Sequence, residues 1–247
     1  MTESKSPYTH EFYKDQQSGS ISSAKEIVPY ITKLTNPKSV LDVGCGIGTW
    51  LSVFKNQGVK NIMGVDGHWV DKNYLMIPSK DFMHLDLKKP IKLTQKFDLV
   101  VSLEVAEHLP KLTAEQFIKS ITSLGDVVLF SAAIPYQGGT DHINEQWQDY
   151  WAQLFELNGF VTIDCIRKRF WRNSKVAFFY AQNMLLYVRK SKLTNYPQLR
   201  DEYKKTNREQ ISIVHPQRYT DIGKQKVKIS KLVPSFVKKL YLSLTKK

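Results

Sequence analysis

A glycine-rich loop between an apolar run and a helical segment constrains this chain more than any other feature. The sequence VLDVGCGIGTW, residues 40–50, places Gly44, Gly46 and Gly48 at alternate positions after a short apolar stretch that carries Asp42. Glycine suits places where the backbone turns tightly and where a ligand approaches with no Cβ in the way. The pattern therefore predicts a strand, a ligand-contacting turn and a helix.

Apolar runs and helical patterns alternate over the rest of residues 1–188. The predicted strands are Ser39–Val43, Asn61–Asp66, Phe82–Leu87, Phe97–Leu103, Val127–Ile134, Phe160–Ile166 and Ala181–Val188. The predicted helices are Ile21–Leu34, Gly48–Gln57, Thr113–Leu124 and Glu145–Asn158. Near-continuous apolar strands separated by helices indicate a largely parallel sheet with helices on both faces.

Acidic residues close the second and third of these predicted strands. Asp66 ends the second strand, in the sequence GVD, and Asp86 ends the third, in HLDL. In dinucleotide-binding folds, a carboxylate at the end of the second strand accepts hydrogen bonds from ribose hydroxyls. A carboxylate at the position of Asp86 can accept a hydrogen bond from an adenine amino group. The sequence thus predicts a nucleoside site beside the glycine loop.

Taken together, these motifs resemble those of class I S-adenosylmethionine-dependent methyltransferases. The matching runs are DVGCGIG, GVD, HLDL and FDLVVSLEVAEHL, and the resemblance covers roughly residues 20–188. It implies a Rossmann-like α/β sheet of seven strands, the last of them antiparallel and at the edge, and S-adenosylmethionine as the cofactor. We therefore expect a methyltransferase domain at 1–188 and a basic, partly helical tail at 189–247.

The resemblance also implies a set of cofactor-binding residues. Asp42 and the loop glycines surround the amino-acid end of the cofactor, Asp66 holds the ribose, and residues 102–104 line the floor beside the sulfonium. Cys45 fills space in the loop, since no neighbouring base would make it a nucleophile. The complete set is Asp42, Gly44, Cys45, Gly46, Gly48, Asp66, Asp86, Leu87, Ser102, Leu103 and Glu104.

The segment after the fourth strand indicates the class of acceptor. Its sequence, SLEVAEHL, resembles small-molecule and sugar O-methyltransferases and lacks the Asn/Asp-Pro-Pro-aromatic sequence of enzymes that methylate DNA base amines. His108 lies just past the carboxyl end of this strand, where open α/β sheets bind ligands. We predict that His108 is the general base for a hydroxyl acceptor, with Glu107 beside it in the catalytic set. The alternative is a surface histidine that caps the next helix.

A second interpretation assigns the same segment to a divalent metal. Glu104, Glu107 and His108 form E-x-x-E-H and His142 follows, which resembles the metal set of small-RNA 3′-terminal 2′-O-methyltransferases. Carboxylates combined with imidazoles suit Mn²⁺, Fe²⁺ or Zn²⁺. Ubiquinone-pathway O-methyltransferases share EVxEH, and many enzymes with this stretch use no metal, so the metal is the less favoured hypothesis. A third hypothesis is a cofactor-binding module without turnover.

The charge of the chain is concentrated near its C-terminus. The formal net charge is +13, of which residues 189–247 contribute +12 and residues 1–188 only +1. The neutral body disfavours nucleic acid as a partner. The tail pairs lysines with apolar residues at helical spacing, which predicts either an anchor on an anionic membrane surface or a helix docked on the domain. The apolar positions are Ile229, Leu232, Val233, Phe236, Val237, Leu240, Tyr241 and Leu244.

Two further features bear on the compartment. The chain has two cysteines, too few for a disulfide framework, and its first twenty residues are polar. It also lacks an apolar run of the length that a spanning helix needs. We therefore expect a cytoplasmic protein that the tail could bring to a membrane surface.

Overall fold

A computed structural model describes residues 10–232, with side chains from Gly19 to Lys224. It contains a seven-stranded sheet with helices between most of the strands. The strands are β1 (Ser39–Val43), β2 (Asn61–Asp66), β3 (Phe82–His84), β4 (Leu99–Leu103), β5 (Val127–Ser131), β6 (Phe160–Ile163) and β7 (Leu185–Arg189). The α-helices are α1 (His10–Thr35), α2 (Thr49–Asn56), α3 (Ala114–Leu124), α4 (Gln148–Leu157), α5 (Ile166–Phe170), α6 (Phe178–Asn183), α7 (Pro197–Lys204) and α8 (Pro216–Leu232).

The order of the strands fixes where a ligand can bind. The order is β3-β2-β1-β4-β5-β7-β6, and the pairs among β1 to β5 are all parallel. From β1 the chain first extends the sheet toward β3 and then returns to the other side of β1 with β4. This reversal opens a crevice at the carboxyl ends of β1 and β4, which is where open α/β sheets bind their ligands.

The seventh strand is antiparallel, as expected, but its predicted place at the edge is wrong. β7 lies between β5 and β6 and pairs antiparallel with both. Its first four residues, Leu185–Val188, are almost completely buried, whereas two of the four residues of β6 are only half-buried. A strand that is apolar on both faces needs neighbours on both sides, and the more polar β6 takes the edge. The predicted start at Ala181 is also too early, because residues 178–183 form α6.

Helices cover both faces of the sheet, and alternate strand residues enter two separate cores. Val40, Leu99 and Leu129 point into a core formed with α1, α2, α5 and α6. Leu41, Val100 and Phe130 point into the opposite core, which α3 and α4 complete. Because both faces are apolar, the strands read as continuous apolar runs and not as an alternating pattern.

The compact unit that contains the sheet extends to Ile213, and a second unit begins at Val214. The sequence-based boundary after Val188 is therefore too early: Leu193, Leu199 and Ile211 are buried in the cores of the sheet domain. In the second unit, α8 forms as a basic helix, but the apolar stripe from Ile229 onward lies outside the described side chains. Among the described residues, no helix has the length and apolarity needed to cross a membrane.

Candidate active site

A cavity of about 790 Å³ lies at the carboxyl ends of the strands, at the predicted crevice. We call two parts of its wall the glycine-loop half and the histidine half. The glycine-loop half comprises Asp42, Gly44–Ile47, Asp66, Trp69, Asp86 and Leu87. The histidine half comprises Glu104, Glu107, His108 and Gln137–His142. Of the predicted site residues, Gly48 and Ser102 do not line the cavity.

The glycine loop adopts backbone angles that side chains disfavour. Gly44, Gly46 and Gly48 have φ of +82°, +53° and +84°. At Gly44, a Cβ would lie 2.3 Å from Cγ2 of Val105, so the loop could not take its place beside β4 with any other residue. At Gly46, no atom outside the adjacent residues lies within 4 Å of where a Cβ would be, and the backbone borders the open cavity. The first glycine thus serves packing, and the second leaves room for a ligand.

Asp66 ties the end of β2 to this loop. Its Oδ2 accepts from the backbone N–H of Gly46 at 2.6 Å, and its Oδ1 accepts from that of Gly67 at 2.6 Å. Burial raises the pKa of Asp66, and these two N–H groups offset part of the effect. Burial also raises the pKa of Asp42 well above its usual range, with the charge of Asp66 as a second cause. Positive charge on a bound ligand would stabilise both carboxylates.

The predicted adenine contacts occupy a turn and not a strand end. β3 stops at His84, and Asp86 lies beyond it, with a half-exposed side chain 3.5 Å from the ammonium of Lys89. Its Oδ1 accepts from the N–H of Lys88 at 3.1 Å, which is the hydrogen bond of an Asx turn. The side chain of Leu87 is buried and lines the cavity.

Trp69 lies beside Asp66 in the cavity wall, and the sequence reasoning missed it. Its ring packs on the backbone of Gly67, where a Cβ would be 2.2 Å away. The indole is half-exposed and donates toward the Asp66 carboxylate, which lowers the pKa of Asp66. An aromatic residue placed three positions after the strand-ending acid was the available signal.

Glu104 has an unusual backbone and a fully engaged side chain. Its φ is +55°, a left-handed conformation that costs a non-glycine residue roughly 1–2 kcal/mol. Its Oε2 accepts from Nε2 of Gln137 at 2.8 Å, and its Oε1 accepts from Nδ2 of Asn183 at 3.2 Å. Burial raises the pKa of Glu104, and hydrogen bonds from Ser131, Asn183 and Gln137 partly offset this. Gln137, from the loop after β5, is a second residue that the sequence reasoning missed.

Ser102 is buried and does not line the cavity. Its side chain is completely buried in β4, and its hydroxyl has no hydrogen-bond partner within the described chain. Leu103, the next residue, does line the cavity, and so does Cys45, whose thiol has its pKa raised by burial. A thiol with a raised pKa is a poor nucleophile at neutral pH, which agrees with Cys45 as a space-filling residue.

Glu107 is a buried acid with little stabilisation of its charged form. It is fully buried, and neither side-chain oxygen has a hydrogen-bond partner of standard geometry within the described residues, although the backbones of Glu107 and Ala133 lie close enough to lower its pKa. Burial and the charge of Glu104 raise the pKa of Glu107 well above its usual range. A carboxylate in this environment requires either a proton or a cation.

The two histidines meet beside Glu107. The rings of His108 and His142 are edge to face, with centroids 4.8 Å apart. Burial lowers the pKa of His108, and the neighbouring His142 lowers it further, so His108 is neutral at pH 7 and can accept a proton. One potential ligand atom from each of Glu107, His108 and His142 lies within 4.8 Å of the others. Glu104, the fourth residue of the predicted metal set, is not in this group.

These three residues fit a divalent cation in composition. One carboxylate and two imidazoles suit Mn²⁺, Fe²⁺ or Zn²⁺, and the unpartnered oxygens of Glu107 would gain a counter-charge. The same three residues also fit a metal-free arrangement in which Glu107 is protonated and His108 is the base. The geometry thus fits His108 as a base and also a metal set of three residues that excludes Glu104.

The comparisons with known proteins agree with the fold. The family described as "Methyltransferase domain" matches residues 21–173. The search of curated proteins found no match.

Three similar solved structures illustrate the range of relatives. The methyltransferase domain of bacterial CtHen1 is 21% identical with a TM-score of 0.51, over 68% of this chain and 98% of that one. An O-methyltransferase family protein from Burkholderia thailandensis is 11% identical with a TM-score of 0.54, over 76% and 62%. CalS10 from Micromonospora echinaspora, an amino pentose methyltransferase with S-adenosylmethionine bound, is 13% identical with a TM-score of 0.52, over 72% and 94%.

Proposed function

Since this chain belongs to the methyltransferase-domain family and is an S-adenosylmethionine-dependent methyltransferase, we propose that it methylates a hydroxyl oxygen of a small molecule or saccharide. In this proposal, the glycine-loop half binds the cofactor and the histidine half binds the acceptor. The observation that carries it is His108, an imidazole with a lowered pKa in the wall of the same cavity as Asp66.

The chemistry places two demands on the protein. The methyl group is already activated by the sulfonium, so alignment of acceptor oxygen, methyl carbon and sulfur supplies much of the rate. The acceptor hydroxyl must also lose its proton, and a positioned base contributes about 10²–10⁴-fold. His108, neutral at pH 7, accepts that proton, and the carboxyl group of Glu107 lies beside it. Gln137–His142 cover the acceptor from the loop after β5.

The amino pentose methyltransferase among the similar structures supports a saccharide acceptor, and the O-methyltransferase family protein supports transfer to oxygen. Their identities are too low to transfer a substrate, so the test is direct. The full chain is incubated with S-adenosylmethionine carrying a ¹³C methyl group and a panel of saccharides and phenols. We expect a product whose labelled methyl carbon has the NMR shift of a methyl ether. A methyl group on nitrogen or carbon would contradict the proposal, and cofactor binding without turnover on any acceptor would favour the binding-module hypothesis.

A second candidate function is metal-assisted methylation of the terminal ribose of an RNA. The grouping of Glu107, His108 and His142 favours it. A divalent ion bound there would supply positive charge to the ribose oxygens. Dialysis against EDTA followed by calorimetric titration with MnCl₂ tests the site, with Glu107→Gln as the variant expected to lose binding. If Mn²⁺ binds and RNA is methylated in preference to saccharides, this candidate replaces the first.

A further inference from the structure

One acidic side chain holds together the loop that supplies residues 137–142 of the histidine half. Oε2 of Glu145 accepts from the N–H of Tyr136 at 2.7 Å. Its Oε1 accepts from the N–H of Gly138 at 2.9 Å and lies 3.0 Å from Nδ1 of His142. The carboxylate thus connects both ends of the segment 136–142, and its side chain is only 19% exposed.

The contact with His142 determines where the imidazole carries its hydrogen. An ionised carboxylate can only accept hydrogen bonds, so Nδ1 of His142 must be the donor. A neutral imidazole has one N–H, and a hydrogen fixed on Nδ1 leaves Nε2 with a free lone pair. Acids that hold a ring N–H in this way set the tautomer and orientation of catalytic and metal-binding histidines.

The position of the His142 ring is fixed from other directions as well. A Cβ on Gly139 would lie 2.3 Å from Nε2 of His142, so the ring packs directly on the Gly139 backbone. The ring of His108 meets it edge to face. The carbonyl of Glu107 accepts from the N–H groups of Ile143 and Asn144 at 2.9 and 3.0 Å, which anchors the loop just after His142.

We propose that Glu145 is a positioning residue for the acceptor site: it fixes the Nδ1–H tautomer of His142 and leaves Nε2 as the acceptor atom available to the cluster with Glu107 and His108. This inference deepens the proposed function and rests on it for its effect on turnover. Its structural part, the tautomer, does not depend on which acceptor is methylated. The lone pair on Nε2 would accept a hydrogen bond from the acceptor hydroxyl or bind a cation.

The tautomer can be measured in the intact chain without any acceptor. Protein labelled with ¹⁵N-histidine is examined by long-range ¹H–¹⁵N correlation at a single pH near 8, and His142→Gln assigns the signals. We expect the Nδ1–H tautomer for His142. In Glu145→Gln the amide offers one accepting oxygen in place of two, so it cannot satisfy all three N–H groups, and the signals should shift toward the Nε2–H tautomer.

Turnover should fall roughly 10- to 100-fold in Glu145→Gln, the usual effect of removing an outer partner of a functional histidine. Cofactor affinity measured by calorimetry should stay within about twofold, because Glu145 is not among the residues that line the cavity. The matched control is Glu156→Gln on the exposed face of α4, which should change neither turnover nor the tautomer.

Two results would overturn the inference. One is a hydrogen on Nε2 of His142 in the wild type, and the other is an unchanged His142 tautomer in Glu145→Gln. If Glu145→Gln does not fold, the wild-type spectrum alone decides the tautomer. A confirmed tautomer in a protein that methylates no hydroxyl would refute the proposed function and leave the positioning role of Glu145 intact.

Discussion

One buried acid in each half of the cavity, Asp66 in the glycine-loop half and Glu107 in the histidine half, shows how differently the two are surrounded. Asp66 has one oxygen on each of two backbone N–H groups, and the loop that donates one of them follows β1 directly. Glu107 is equally buried, yet its oxygens have no hydrogen-bond partner among the described residues. Asp66 is thus held by backbone N–H groups, whereas Glu107, next to two histidines, has no such partner.

This difference shows that the electrostatically less favourable of these two acids lies in the histidine half, at Glu107. A buried polar group without a partner costs about 1–3 kcal/mol, more when it is charged. Such a group does not benefit stability. Its presence beside His108 and His142 is therefore typical of a functional site, where the partner of the acid is a proton, a cation or a substrate. The carboxylate of Asp66, in contrast, is held by the protein's own backbone N–H groups.

The largest expected effect comes from the histidine half. His108→Ala should lower turnover about 10²-fold or more, because it removes the group that accepts the proton. Calorimetry should show nearly unchanged affinity for the cofactor, which contacts the other half. His68→Ala is the matched control, since His68 stacks on His84 at 4.8 Å and does not line the cavity. A weaker cofactor affinity in His108→Ala would erase the distinction between the halves.

The two halves also differ in how well the sequence predicts them. The glycine loop and Asp66 belong to short runs around a strand end, and their spacing alone places them together. The contacts of the histidine half join β4, the loop after β5 and α6, so Gln137 and Asn183 meet Glu104 only in three dimensions. The sequence could propose His108 and His142 by residue type, but not the separation of Glu104 from them or the role of Glu145.

The fold, too, was predicted correctly where the signals are local and incorrectly where they depend on contacts between distant segments. Boundaries of β1 and β2 match the prediction, because glycines or acids end both strands. The predicted edge position of β7 was wrong. The edge is taken by the strand that better tolerates solvent, and only a comparison of β6 with β7 shows which strand that is. Residues 189–213 were assigned to the tail for their charge, although a few buried apolar side chains attach them to the sheet domain.

A second prediction tests the glycine-loop half. Asp66→Ala should weaken binding of S-adenosylmethionine by about 1–3 kcal/mol, roughly 5- to 150-fold in Kd, because a charged hydrogen-bond acceptor is lost. Asp86→Ala should have a smaller effect, since Asp86 is half-exposed and already occupied with Lys88 and Lys89. Titration calorimetry of both variants gives the ranking. Unchanged affinity in Asp66→Ala would show that the ribose site is elsewhere.

The last prediction concerns how the ionisation of Glu107 changes the stability of the fold with pH. The pKa of Glu107 is raised in the folded protein above its value in the unfolded chain. At a pH between these two values, the folded state therefore holds a proton that the unfolded state has released. Stability associated with this group is fully present below the unfolded pKa and is lost as the pH rises through the folded pKa.

Glu107→Gln removes this titration. With EDTA present, urea unfolding between pH 5 and 8 should show wild type losing stability relative to the variant as the pH rises, by at most about 1.4 kcal/mol per pH unit. Glu156→Gln, at an exposed position, should give a curve parallel to wild type. Excess Mn²⁺ should abolish the relative loss if the cluster binds the ion, because the cation then stabilises the ionised carboxylate. Parallel curves for Glu107→Gln and wild type would mean that the Glu107 carboxylate is compensated within the protein, and the contrast between the two halves would disappear.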